Sequence, residues 1–239
     1  MDGIFDRPNF KEKWFPFLKE EETQIFSPRV EAILQKITTI RELWPGEKIV
    51  VVSQFVLFLD IIKEGIERLS KTDPRFKIHL AEYNGAINLE ERSRTQYAFN
   101  LPTGGPEVLL LSAGAGGVGL NLARGSHMVI AEPPWEPGKM DQVIGRTYRL
   151  PQEKEVHVWH MIAHPSEIDQ FVLDRQARKT HFVRHLLAAV TGEADTKAID
   201  INEKALPTHT VYEWAKGRAK DIAENECINE ALEEWTSTL

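Results

Sequence analysis

In Lys48-Ile49-Val50-Val51-Val52-Ser53, the four central residues form an unbroken aliphatic, β-branched run with no polar alternation. A strand covered on both faces needs that composition, because neither side of the sheet meets water. Four further runs read as strands: 76–83 (FKIHLAEY), 107–112 (EVLLLS), 127–131 (HMVIA) and 155–162 (EVHVWHMI). Helical periodicity fills the gaps at 28–43, 56–69, 89–99 and 139–148. Ser27-Pro28 supplies a capping hydroxyl and a first-turn proline, and Pro45-Gly46 stops the same helix before the first strand. Strands alternating with helices predict an α/β fold with a parallel sheet.

After the last strand, 167–190 is a long helix candidate with Ile168, Phe171, Val172, Phe182, Leu186 and Leu187 at its apolar positions. An acidic linker is expected over 191–207, followed by a moderately amphipathic helix over 212–235 through Ala215, Ala219, Ile222 and Leu232. The chain thus divides into an extension (1–26), a sheet-bearing lobe (27–190) and a tail of linker and helix (191–239).

The 239 residues suffice for one large or two small domains. The single cysteine, Cys227, rules out an internal disulfide and a thiolate metal cluster, and has no evident histidine partner for nucleophilic work. The sequence holds no long apolar run of the kind that crosses a membrane, and its start does not read as a signal peptide. A net charge of −7 argues at first against nucleic acid. The acidity is concentrated in the tail, however, and residues 28–190 balance to +1, so a local basic groove is compatible with the total.

Two segments carry chemistry. In 141–150 (DQVIGRTYRL), Gln142, Arg146 and Arg149 follow a Q-x-x-x-R-x-x-R spacing. Residues three and four apart share a helix face, so one amide and two guanidiniums can converge on a ligand. A planar, always-charged fork suits phosphate; a solvated face with two surface arginines fits the decapeptide equally well. The second segment, 111–122 (LSAGAGGVGLNL), follows a buried strand with glycines at 114, 116, 117 and 119. Glycine lets the backbone approach an anion closely, although such a cluster is as often only a turn. It lacks the Gly-Lys-Ser/Thr ending of a P-loop.

Six blocks, taken in order, resemble the second (C-terminal) RecA-like ATPase lobe of Swi/Snf-type superfamily-two DNA translocases and chromatin remodellers. They are Ser27-Pro28 with its helix, 48–55 (KIVVVSQF), Tyr83-Asn84-Gly85 with Arg92 and Phe99-Asn100, 110–122, Pro134-Trp135-Glu136-Pro137, and 142–152. The resemblance spans about residues 27–179. It implies a RecA-like parallel sheet with helices on both faces, plus a C-terminal helical extension. It also implies ATP in a cleft against a first lobe, with Mg2+ held by that lobe. Arg146 and Arg149 would then be arginine fingers, and Gln142, Gly117, Gly119 and Asn121 would line the nucleotide. Duplex DNA, in chromatin or nucleosomes, would meet Ser53, Gln54, Asn84, Gly85, Arg92, Ser112, Ala113, Gly114 and Trp135, and the compartment would be the nucleus. Trp135 between prolines also fits a packed corner.

The sequence has no Walker A motif and no acidic Mg2+ box, so the chain alone is expected to be inactive and the natural polypeptide to be longer. It also departs from the family pattern: Glu136 replaces Asn, Gly145 replaces Asp, Tyr148 replaces His, Pro151 replaces Gly, and Glu167-Ile168-Asp169 replaces Thr-Ile-Glu. Two rivals remain open, a non-catalytic lobe that docks DNA or protein and the second lobe of an RNA helicase. His157, His160 and His164 invite a metal reading, but 157 and 160 point to opposite faces of a strand. Glu20-Glu21-Glu22 reads as a solvated acidic turn.

Overall fold

A computed structural model describes residues 10–115, 119–163, 166–191 and 209–212. Six strands, β1 (Lys48–Ser53), β2 (Leu80–Tyr83), β3 (Val108–Ser112), β4 (Gly125–Ile130), β5 (Val156–His160) and β6 (His209–Tyr212), form one sheet in the order β2-β3-β1-β4-β5-β6. The first five are parallel. β6 runs antiparallel along β5, pairing Tyr212 with Val156 and His209 with Trp159.

Helices α2 (Pro28–Leu43), α3 (Val56–Leu69) and α4 (Leu89–Phe99) begin and end where the sequence predicts. Ser27 caps α2 by accepting from Val30 N, and Asn88 opens α4 with a reciprocal capping box through Glu91. Alternation along the buried strands sorts the core into two layers. Ile49, Val51, Leu110 and Val129 meet α2 and α3, while Val50, Val52, Leu109 and Met128 meet α4 and α5 (Pro137–Thr147). That two-sided covering is why β1, β3 and β4 are buried at every position.

The structure corrects or adds to the sequence reading at four places. Residues 76–79 are not strand: Pro74–Phe76 form a 3-10 turn capped by Asp73, and β2 starts only at Leu80. The 1–26 extension contains a helix, α1 (Phe10–Lys19), whose Trp14 donates to Asp60 on α3. β6 adds a strand that the tail was not expected to supply, and Tyr212 ends it rather than starting a helix. The helix predicted over 212–235 otherwise lies outside the described residues, as does the linker between 192 and 208. Finally, α5 stops at Thr147, so Arg149 stands in the turn after the helix and not on its face. The long helix after β5 is α6 (Glu167–Thr191).

Candidate functional site

The parallel strands share one carboxyl edge, where Ser53 pairs with Ser112, Tyr83 with Leu111 and Val52 with Ile130. Open α/β sheets bind ligands at that edge. The loops carrying Ser53-Gln54, Asn84-Gly85, Ser112-Ala113-Gly114 and Trp135 all leave from it, so the structure gathers the residues proposed to meet DNA. Many of their polar groups are engaged within the protein. The Ser53 hydroxyl donates to Glu132 Oε1 (3.0 Å), and Gln54 N donates to the same oxygen (2.6 Å). Asn84 Oδ1 accepts from Ala86 N, and Ala113 N donates to Ser53 O. Arg92 donates to the carbonyls of Ile87 and Gly85 and lies 5.8 Å from the Tyr83 ring, so it braces its loop. Trp135 is 46% exposed and makes an edge contact with Phe171 of α6, fitting both a packed corner and a surface contact.

The helix α5 carries the second group back toward the amino edge. It opens at Glu136 without a side-chain cap; a longer carboxylate stands where asparagine would cap, and pairs with Lys139 instead (3.1 Å). Met140, Val143 and Ile144 bury one face against the sheet, leaving Gln142 exposed and Arg146 half-buried. At its far end the Arg146 carbonyl accepts from Leu122 N (2.8 Å), and Arg149 Nη1 lies 3.4 Å from Leu120 O. Both arginines therefore sit against the return of the glycine segment, where Gly119 takes a φ of +96° that side-chain-bearing residues avoid. Among the described residues, neither forms an ion pair, and Arg146 Nε is buried with no hydrogen-bond partner. A buried donor left open costs free energy, so this one is suited to an anionic ligand.

Asn121 has a visible structural task. Its Oδ1 accepts from Ala123 N, and its carbonyl accepts from Asn100 at the end of α4. Gly117 lies outside the described residues, as does His164.

The sequence pattern of the helicase conserved C-terminal domain matches residues 29–151. The chain belongs to that family. Among relatives, it is similar to the DNA repair protein RAD5 of Kluyveromyces lactis, at 37% identity over 64% of this chain and 14% of that protein. Human helicase-like transcription factor is 31% identical over 74% of the chain and 17% of its own length. The chain thus spans a small part of these relatives. The crystal structure of the C-terminal part of the Fun30 ATPase domain overlays with a TM-score of 0.57 at 22% identity, covering 70% of this chain and 51% of that one. The lobe is RecA-like and of the Swi/Snf helicase type, as the six blocks implied.

Within this helicase C-terminal lobe, several departures from pattern are accommodated locally. A Cβ at Gly145 would meet nothing within 4 Å, so the missing aspartate leaves no packing defect. Tyr148 packs partly buried against the second core layer. Gln152 donates to Gly125 O (2.9 Å) and accepts from Lys154 N, tying the turn after α5 to the start of β4. Asp169 accepts from Arg29 and from Ala163 N, while Arg29 also donates to the carbonyls of Ala131 and Met161.

Sequence reasoning missed Arg29 and Glu132, since a lone arginine or glutamate carries no spacing signal. Glu132 is largely buried, its carboxyl pushed above the ordinary range by that burial, and its Oε2 has no hydrogen-bond partner among the described residues. Away from the site, His157 stacks on His127 at 4.9 Å. Burial, with His127 beside it, lowers the His157 pKa to about 4. Burial raises the Glu47 carboxyl, but hydrogen bonds from His127, Lys154 and Ser126 outweigh it and leave a pKa of about 2.

Proposed function

We propose that this lobe is the C-terminal half of a DNA-dependent ATP motor, supplying Arg146 and Arg149 to an ATP phosphate presented by a first lobe. The observation that carries the reading is the open state of the arginines: no acidic partner among the described residues, and one buried guanidinium nitrogen without an acceptor. A γ-phosphate in the cleft would satisfy both forks as charge develops on it. Gln142, one turn before Arg146, would help orient the same ligand. Mg2+, held by the first lobe, would neutralise charge on the phosphates.

The relatives include DNA repair proteins, and the carboxyl edge gathers small polar groups of the kind that hold phosphates without reading bases. Duplex DNA is therefore the proposed track, followed without sequence preference and with salt-sensitive affinity, in the nucleus and on chromatin. The test is to mix the chain with a first lobe from a related motor and follow ATP turnover with and without duplex DNA. DNA-stimulated turnover that neither part gives alone is expected. DNA binding with no turnover would favour a docking module; stimulation by RNA and not by DNA would favour an RNA helicase.

A further inference from the structure

The carboxyl edge has an element that neither the motif blocks nor the relatives assign. Glu132 leaves the tip of β4 and reaches across to the tip of β1. One oxygen, Oε1, accepts both the Ser53 hydroxyl (3.0 Å) and Gln54 N (2.6 Å). Ser53 Oγ in turn accepts Phe55 N (2.9 Å), closing the first turn into α3. On the other flank, Gln54 faces the chain that follows Glu132: its side chain lies 3.5 Å from both Pro133 O and Trp135 N. The groups that join the β1 loop to the Pro133–Trp135 corner thus centre on one carboxylate. Nearby charge comes from Arg29 and Asp169, but Arg29 is directed at Asp169 and two carbonyls. Glu132 keeps its second oxygen buried and unpaired.

A buried carboxylate held only for stability would be expected to satisfy both oxygens, because an unpaired one costs free energy. An unfavourable group retained at a ligand-facing edge instead suggests a geometric task. Resting on the proposed DNA reading, we infer that Glu132 is a positioning residue: by accepting from Ser53 and Gln54 it holds the β1 loop and the Trp135 corner in one fixed surface for the duplex backbone. It acts through these neighbours and does not touch DNA, since a carboxylate repels phosphate. Preorganised contacts bind more tightly because less ordering remains to be done on association.

The experiment is equilibrium binding of a fluorescein-labelled, mixed-sequence duplex to the full chain at fixed low salt, with thermal midpoints recorded in parallel. Glu132→Ala removes both accepted bonds and should raise Kd about tenfold. Glu132→Gln retains an oxygen that accepts both donors, so its Kd should stay within about twofold of the parent. Rescue by glutamine, with alanine impaired under conditions where it remains folded, supports the assignment. An unchanged Kd in Glu132→Ala overturns it, as does a glutamine variant as weak as the alanine one. If the parent chain fails to bind duplex at all, the DNA reading itself falls, an outcome distinct from a parent that binds and an alanine variant that binds as well.

Discussion

The carboxyl edge of the sheet and the far end of α5 are both rich in polar side chains, yet they differ in how those side chains are satisfied. At the carboxyl edge, Ser53 and Gln54 bond Glu132 beyond the neighbouring strand, Asn84 and Arg92 bond their own loop, and the second Glu132 oxygen is the one buried side-chain atom left unpaired among the described residues there. At the end of α5, Arg146 has a buried open donor, and Arg149 has one long contact to a carbonyl. The comparison teaches that the first region is largely cross-linked within the lobe, whereas the second leaves donors open, as the proposed phosphate contact requires. A surface that is already cross-linked can hold a long polymer through many weak contacts. An open guanidinium in a low-dielectric setting can exert a large effect on one developing charge.

That contrast breaks first at the arginines. With a first lobe supplied, Arg146→Ala and Arg149→Ala should each lower DNA-stimulated ATP turnover by roughly 10³-fold or more, with little change in thermal midpoint. The double variant should be scarcely worse than either single one, since groups that act as a unit are not additive. Steady-state phosphate release on the four proteins measures both effects.

The next effect belongs to the edge and is structural. Arg29→Met leaves Asp169 buried without its cation and two carbonyls without their donor, and should destabilise the lobe by about 3 kcal/mol. Urea unfolding reads this directly. A stable Arg29→Met lobe would show that the edge is less tightly braced than the network suggests.

The smallest effect is a pH dependence at Glu132. Its carboxyl titrates above the usual range in the folded state because burial disfavours the ionised form. The folded state therefore holds that proton more tightly than the unfolded chain. The contribution is fully present below the unfolded pKa and is lost as pH rises through the folded one. Glu132→Gln, which cannot ionise, should accordingly gain thermal midpoint over the parent as pH goes from roughly 4 to 8. Arg29 and Asp169, the charged groups facing it, are unchanged in that comparison. A gap that shrinks with rising pH would contradict the assignment of burial as the cause.

Much of the fold was legible because its signals are local. Within β1, residues 49–52 offer no polar position to turn toward water, and Ser27-Pro28 and Asn88 with Glu91 mark helix starts by their own chemistry. What escaped depends on partners distant in sequence. β6 exists because β5 offers an open edge, and nothing within His209–Tyr212 announces that pairing. α1 holds Pro16, which reads as a breaker, yet Arg68 of α3 fixes its exit by donating to the carbonyls of Leu18, Glu20 and Thr23. In the site, the arginine spacing was visible but its helical premise was half right: Arg146 is on α5 and Arg149 is past it. Glu132 was invisible, because its importance comes from reaching across to β1.

The most direct measurement is ATP turnover by the Arg149→Lys lobe, combined with a first lobe and saturating duplex DNA. Lysine keeps the positive charge but lacks the planar fork that grips phosphate at two points. The account predicts turnover near that of the first lobe alone. Turnover close to the parent combination would contradict it, since charge alone would then suffice.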